Sequence, residues 1–329
     1  MPQRSIPFAC GRLSALEAGL LDQQAVKRMA DGTLEDAMRI LQDVRYGDIP
    51  DATSADIERM IDNVRVRTAQ ELREISPRPA VTDLFLLRTD IQNLKMLLKA
   101  RLMNETGTET EAGGLFESDQ LKKMVSDQSY KDLPGEIADA LDALEKDLKT
   151  AVDPQHVSVA LDRAYLAYAQ KTAKEEGDRF ARTYFDALCD FDNMLTFLRM
   201  RAAGMPKEAL KEFALPTGGI RIEDLAASYE LSEDSLRTVL TESPARDSLE
   251  KGLAAVQATG SIAALERERD DFLLSLVKEH KYDALTMYPV YGYYFARERE
   301  AKAVRLIMTV KRNGLEDSVI QERLCELYG

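Results

Sequence analysis

The chain has 329 residues, of which 45% are hydrophobic and 31% charged, and 57 acidic against 44 basic side chains give a net charge of −13. This composition is typical of a soluble globular protein, and the length allows two or three domains of roughly 100–200 residues. A surface this acidic repels phosphate groups, which disfavours direct binding to nucleic acid or to anionic lipid.

The N-terminal stretch MPQRSIPFAC has no apolar run of signal-peptide length. The cysteines, at positions 10, 189 and 325, are far apart and odd in number, which predicts a reducing compartment and no disulfide framework. The most apolar stretch, residues 284–296, is shorter than the roughly 20 residues that a membrane-spanning helix needs. We therefore expect a soluble protein that reaches a membrane only through a protein partner.

Apolar residues recur every three or four positions along nearly the whole chain, which predicts an all-α fold. The pattern is clear over residues 37–44, 93–103 and 303–310. Asp153 followed by Pro154, and Ser232 further on, are typical of helix N-termini. Breaks are predicted as a polar linker over about 105–114, a tight turn with room for a short strand over 215–220, and an irregular stretch over 242–247.

Three segments, 84–104, 184–204 and 294–314, align without gaps. They share a phenylalanine, an acid five residues later, an asparagine in two of the three, a base, and a final asparagine or glycine that suits a helix C-terminus. The matched positions are Phe85, Phe185 and Phe295; Asp90, Asp190 and Glu300; Asn93, Asn193 and Ala303; Arg101, Arg201 and Lys311; and Asn104, Gly204 and Gly314.

The match extends upstream of these segments, where the tripeptides at 57–59, 161–163 and 265–267 are similar and residues 46–50 match 130–134. We therefore predict three copies of one helical unit, as domains at 1–104, 105–210 and 211–329. On each helix the shared acid, asparagine, apolar pair and base fall within an arc of roughly 140°. Such a face predicts helix packing with internal hydrogen bonds.

The stretch YFDALCDFDN at 184–193 places Asp186, Asp190 and Asp192 close together, as an acid–base or metal site would. Because all three copies have an acid where Asp190 stands, we assign that residue a structural role, and we expect Asp186 and Asp192 to be solvated. His156 and His280 lack ligand partners at helical spacing, and no phosphate-binding glycine loop occurs. The sequence thus predicts no catalytic, cofactor-binding or metal-binding residue.

Two alternatives stay open at this point. One is a generic helical scaffold, although solenoid repeats usually span about 20–50 residues rather than about 100. The other is a metal-dependent helical enzyme that uses the acids at 186–192 or those of ERERDD at 266–271.

The repeated segments resemble the C subunit of the bacterial and archaeal V-type (A-type) ATPases and ATP synthases, the family of the eukaryotic V-ATPase d subunit. The stretch TDIQNLKMLLKARL at 89–102 is similar to that family's first-domain signature, and residues 298–328 are similar to its C-terminal signature. Ala303 replaces the asparagine typical of the family, whereas Arg305 and Gly314 are retained.

The resemblance implies three similar helical domains in a pseudo-three-fold, funnel-shaped arrangement. In that family the protein lies peripherally on the cytoplasmic face of the membrane, on the rotor ring, and its hollow receives the central shaft. The resemblance therefore implies a non-catalytic central-stalk subunit of an ion-transporting rotary ATPase. Its partners would be the shaft subunits and the ring, with no cofactor, no nucleic acid and no insertion into lipid.

Overall fold

The fold is described by a computed structural model for residues 5–44, 46, 53–147, 154–231, 233–324 and 327–328. It is 74% helical, without a strand in those ranges, and the predicted all-α class is confirmed. The α-helices are α1 (Ile6–Glu17), α2 (Gln23–Asp31), α3 (Leu34–Asp43), α4 (Ser54–Ile75), α5 (Pro79–Leu102), α6 (Ser118–Asp127), α7 (Gly135–Asp147), α8 (Pro154–Glu175), α9 (Arg179–Ala202), α10 (Leu210–Phe213), α11 (Ile222–Ala227), α12 (Glu233–Val239), α13 (Arg246–Thr259), α14 (Ala263–Lys278), α15 (Tyr288–Arg312) and α16 (Ser318–Arg323).

Helix ends follow local chemistry. Capping boxes, in which a threonine and the aspartate three residues later bond each other's backbone N–H groups, start α3 and α4. The predicted caps Asp153 and Ser232 lie outside the described residues. After α5, α9 and α15, Asn104, Gly204 and Gly314 have positive φ angles of 54°, 65° and 62°, the left-handed conformation that often follows a helix C-terminus. The strand considered for 215–220 is wrong, because that segment is an irregular loop.

Within the described residues, each of the three predicted copies ends in a pair of long helices. In copy 1, α2 and α3 precede the long pair α4–α5, and in copy 2, α6 and α7 precede α8–α9. Copy 3 differs, because the four helices α10 to α13 precede α14–α15. The loops that join the long pairs differ in length. Residues 76–78 and 176–178 join the first two pairs, whereas nine residues, 279–287, join the third.

By compactness the chain forms two units, which cut across this order. Unit 1 comprises Met1–Leu86, Glu111–Leu115 and Leu274–Gly329, and therefore contains both ends of the sequence. Its core joins α2, α3 and α4 to α15, and Val26, Leu41, Ile61 and Ile307 are fully buried in it. Burial of such side chains stabilises a fold by about 1.5–3 kcal/mol each.

Unit 2 comprises Leu87–Thr110 and Phe116–Leu273. In it, α8 packs against both α7 and α9. The aromatic side chains of Phe185, Phe191 and Phe197 on α9 are fully buried, and the Phe197 ring meets that of Tyr229 edge-on at 5.2 Å. The two units describe compactness rather than repetition, so the three domains at 1–104, 105–210 and 211–329 stay a prediction. None of the described helices is long and apolar enough to cross a bilayer.

Candidate functional site: three carboxylate joints

The matched acids Asp90, Asp190 and Glu300 lie on α5, α9 and α15 with at most 1% of their surface exposed. A buried carboxylate is unfavourable unless hydrogen bonds replace its lost hydration. In each case the structure supplies backbone N–H donors from a loop. We call each carboxylate, together with the N–H groups that it accepts, a joint.

The Asp190 joint contains three hydrogen bonds. Asp190 Oδ2 accepts hydrogen bonds from the Gly219 N–H at 3.0 Å and from the Ser243 hydroxyl at 2.7 Å, and Oδ1 accepts from the Ile220 N–H at 2.9 Å. Burial raises the pKa of Asp190, and these donors oppose that rise. One side chain of α9 thereby fixes the loop that opens copy 3 and the start of α13.

Two glycines allow the loop to approach α9. A Cβ on Gly218 would lie 2.1 Å from the carbonyl oxygen of Asp186, and a Cβ on Gly219 would lie 2.2 Å from that of Glu242. Both distances are too short for a side chain, so the pair at 218–219 is required by contact with backbone rather than by turn geometry.

Asn193, one helical turn after Asp190, holds the same loop. Its Oδ1 accepts from the Leu215 N–H at 2.8 Å, and its Nδ2 donates to the Pro216 carbonyl oxygen at 3.3 Å. Asn193 is 1% exposed, as is Asn93 on α5. Ala303, the third matched position, is also buried but offers no polar atom for such a bond.

The Asp90 joint fixes the loop that opens copy 2. Asp90 Oδ1 accepts from the Phe116 N–H at 3.3 Å. At the end of the same helix, Arg101 donates to the Val125 carbonyl oxygen at 2.7 Å and pairs with Glu145 at 2.6 Å. Two side chains of α5 therefore hold the loop, α6 and α7 of the following copy.

The Glu300 joint fixes the loop between α1 and α2, inside the first predicted copy. Glu300 accepts from the Leu21 N–H and pairs with Arg297 at 2.9 Å. Arg297 also donates to the Gly19 carbonyl oxygen at 3.1 Å, so the ion pair encloses the loop before α2. Burial raises the pKa of Glu300 to about 7, although Arg297 and the Leu21 N–H lower it.

Two further bases on α15 contact copy 1. Lys311 donates to the Gly32 carbonyl oxygen, at the end of α2, at 2.5 Å. This resembles the contact of Arg101 near the end of α6. Arg305 pairs with Glu58 on α4 at 2.8 Å. Arg201 departs from the pattern, because it is exposed and lies over the ring of Phe197 on its own helix.

The three joints follow a cyclic order. In terms of the predicted copies, α5 of copy 1 holds the loop that opens copy 2, α9 of copy 2 holds a loop near the start of copy 3, and α15 of copy 3 holds the loop between α1 and α2 of copy 1. The first two pairs of copies are also linked by the chain, whereas the third depends on non-covalent contacts alone.

The matched phenylalanines lie beside other aromatic rings. Phe85 and Phe295 meet edge-on at 5.3 Å, and Phe85 also packs against Tyr291 at 5.6 Å. Phe185 packs edge-on against Tyr165 at 6.2 Å. These positions therefore join aromatic clusters and carry no polar chemistry.

The expectation that Asp186 and Asp192 are solvated is wrong. Asp186 is half-buried and accepts from Gln170 Nε2 at 2.8 Å. Asp192 is half-buried and pairs with Arg269 at 2.6 Å. The structure thus brings the acids near 190 and those of 266–271 together, but with the guanidinium of Arg269 between them. The Arg269 guanidinium balances the charge of Asp192 and Asp270, so no metal ion is needed for that purpose.

Within the described residues, no group of three or more histidine, cysteine, aspartate or glutamate side chains is placed to hold a metal ion. Sequence reasoning missed Ser243 and Arg297, which complete two of the joints. Ser243 lies 53 residues after Asp190, in a stretch where the copies diverge. The Arg297 pair could be predicted from the sequence, because a base three residues before an acid on a helix is placed to form an ion pair with it.

Comparison with known proteins gives a consistent result. Residues 9–323 match the family described as the ATP synthase (C/AC39) subunit. The chain is 25% identical to the C subunit of the A-type ATP synthase of Desulfurococcus sp. (strain SY), over 97% of this chain and 89% of that protein. It is 26% identical to the C subunit of the A-type ATP synthase of Thermococcus onnurineus, over 97% and 88%. With the C subunit of the V-type sodium ATPase of Enterococcus hirae the identity is 23%, over 95% of both chains.

Proposed function

The chain belongs to the ATP synthase (C/AC39) subunit family, and on that premise we propose that it is a non-catalytic central-stalk subunit of a V-type rotary ATPase or ATP synthase. It acts as a socket that couples the central shaft to the membrane rotor ring during ion transport. The names of its relatives, which are C subunits of A-type ATP synthases and of a V-type sodium ATPase, support the assignment to such a complex.

The observation that carries the proposal is the cyclic order of the joints. A subunit that transmits torque must resist shear between its parts, and hydrogen bonds to buried carboxylates are directional and fix the position of the backbone that they hold. In each predicted copy a buried carboxylate accepts a hydrogen bond from the backbone of the next copy, and the carboxylate of the third copy accepts one from the first. This order supports the proposal of a closed, pseudo-three-fold arrangement.

In this proposal the hollow of the funnel receives the end of the shaft, and one face rests on the ring at the cytoplasmic surface of the membrane. The charge of −13 supports docking to proteins rather than to anionic lipid. Neither a nucleic acid nor a cofactor takes part.

The geometry favours this function over a metal-dependent enzyme. Of the acids proposed for that enzyme, Asp190 accepts three hydrogen bonds, and Asp192 and Glu266 pair with arginines at 2.6 Å. The matched acids serve the same purpose at three places, whereas a catalytic constellation is usually unique.

Co-purification with the shaft and ring subunits tests the proposal. We expect the full chain to sediment with membranes that contain the rotor ring, to be released by high salt, and to bind shaft subunits from solution. Membranes without the ring, and protein-free liposomes, are the controls. Tight binding to the liposomes, or failure to bind ring-containing membranes, would contradict the proposal.

A further inference from the structure

One of the three matched bases on the long helices differs from the other two. Arg101 and Lys311 donate hydrogen bonds to carbonyl oxygens of another predicted copy. Arg201, at the matched position on α9, is exposed, and its guanidinium lies 5.5 Å from the centroid of the Phe197 ring. Within the described residues its side chain forms no hydrogen bond or ion pair. The charge of Arg201 is therefore available to a group outside the chain.

Aromatic packing holds the Arg201 guanidinium in place. Phe197 is fully buried and meets Tyr229 edge-on at 5.2 Å. The Tyr229 hydroxyl in turn donates to the Met205 carbonyl oxygen at 2.9 Å. Because the face of an aromatic ring attracts a guanidinium, the ring favours one position of an otherwise flexible side chain. A base fixed in this way loses less conformational entropy when it binds an anion.

Arg201 lines a small cleft in unit 2, between α9, α12 and α13, which we call the α12–α13 cleft. Its volume is about 60 Å³, well below the roughly 300–1,000 Å³ of sites for small molecules and cofactors. Most of its lining is aliphatic: Leu198, Leu236, Leu253, Ala254 and Val256. A space of this size and lining suits one apolar side chain of a protein partner.

The charged side chains at this cleft are mainly basic. Arg237 on α12 also lines the cleft and is exposed, and like Arg201 it pairs with no carboxylate of the described residues. Glu250, the acid of the lining, already pairs with Arg246 at 3.0 Å. These described side chains thus comprise three bases and one acid, although the whole chain carries −13. Because salt screens charges beyond about 8 Å, a group in the cleft experiences this local excess of positive charge.

We propose that the α12–α13 cleft docks an acidic segment of a partner protein, with one aliphatic side chain in the cleft and a neighbouring carboxylate on Arg201 and Arg237. The aliphatic lining recognises the side chain. The two guanidiniums recognise the carboxylate, to which arginine donates charge-assisted hydrogen bonds. The inference needs a protein partner but not the socket role proposed above, so the two can fail separately.

Charge favours a peptide segment over other anions. An anionic bilayer or a nucleic acid extends far beyond the cleft, and its rows of phosphates meet the acidic remainder of the chain. A second copy of this chain would bring two bodies of charge −13 together, which self-repulsion opposes. A short acidic segment contacts the cleft and little else, so it is attracted by the local bases without that cost.

Photo-crosslinking in the assembled complex tests the proposal. The full chain carries benzoylphenylalanine in place of Ala254, an exposed residue of the cleft, and is purified with its partner subunits and irradiated. We expect an adduct with a partner protein, within about one helical turn of both an aliphatic side chain and an aspartate or glutamate. An adduct with lipid, nucleic acid, a second copy of this chain or a segment without such an acid would overturn the inference. The absence of an adduct in the intact complex would do the same.

Charge reversal gives a second readout with a matched control. R201E/R237E is expected to lower the yield of this adduct about ten-fold or more, because the partner's carboxylate would then face two like charges. K122E/K211E reverses two exposed lysines elsewhere in unit 2 and changes the total charge equally, so we expect a change of less than about three-fold. All four positions are exposed, and thermal unfolding checks that both variants fold. Equal adduct yields from the two double variants would refute recognition by the arginines.

Discussion

At Asp190, one carboxylate accepts three hydrogen bonds from two separate stretches of chain. An ionised carboxylate offers only acceptors, so it matches three donors without conflict. Asparagine has the same shape but turns one acceptor into a donor. The position therefore depends on chemistry more than on size.

We expect Asp190→Asn to lower the free energy of unfolding by about 1–3 kcal/mol, because an NH2 group would face at least one N–H or hydroxyl donor. Denaturant titration of the isolated chain measures this. Asp224→Asn, at the exposed ion pair with Arg221, serves as the control and is expected to change stability by less than about 1 kcal/mol. ATP hydrolysis by the assembled complex should stay near wild type. Abolished hydrolysis with normal folding and assembly would contradict a structural role.

Glu300 predicts a pH effect. Its pKa is raised to about 7 in the folded chain from an ordinary value of 4.5, so the folded state binds this proton more tightly than the unfolded state does. Its contribution to stability is therefore complete below about pH 4.5 and is lost as pH rises through 7.

Glu300→Gln keeps an acceptor for the Leu21 N–H but cannot ionise. We expect the stability difference between pH 5 and pH 8 to shrink in this variant relative to wild type, by on the order of 3 kcal/mol. Unfolding titrations at both pH values measure it. Parallel pH profiles for the two proteins would show that Glu300 does not titrate in this range.

At the scale of elements, α5, α9 and α15 were recognisable from the sequence because one spacing of acid, apolar residues and base recurs three times. The sequence does not show that the acids accept hydrogen bonds from these loops. The donors are backbone N–H groups, which every residue except proline has, so they leave no residue-type pattern. Only the glycine pair at 218–219 marks one of these loops, and by itself it predicts a tight turn rather than a contact with α9. The expected exposure of Asp186 and Asp192 failed for a related reason, because their partners Gln170 and Arg269 lie on other helices.

The close approach at Gly218 gives an element-scale prediction. Gly218→Ala places a Cβ against the backbone of α9, and we expect destabilisation of about 3 kcal/mol or more. Gly11→Ala is the control, since no atom lies within 4 Å of the Cβ that it would add on α1. That change should stabilise the chain by about 0.5–1 kcal/mol through helix propensity. Equal effects of the two substitutions in thermal or denaturant unfolding would refute the close approach.

At the scale of the whole molecule, the main finding is that unit 1 is built from stretches that lie far apart in the sequence. Helices α2 and α3 share a core with α15, although more than 250 residues of sequence separate α3 from the middle of α15. A sequence repeat does not reveal this, because aligned copies suggest that each folds with its own neighbours in the chain.

We expect Leu41→Ala, a core substitution on α3, to destabilise unit 1 by about 2–5 kcal/mol. Hydrogen exchange should then show the amides of α15 losing protection together with those of α3, and by more than those of α8 in unit 2. Loss confined to α3 would mean that the N-terminal helices open independently of α15.

Unit 1 also has a consequence for synthesis on the ribosome. Once Leu86 has been translated, about 190 further residues must follow before Leu274 begins the last part of that unit, which contains α15. At usual elongation speeds this takes on the order of 10–40 s. During that interval the apolar faces of α2 and α3 have no α15 to cover them, so the nascent N-terminal region is where a chaperone would be needed.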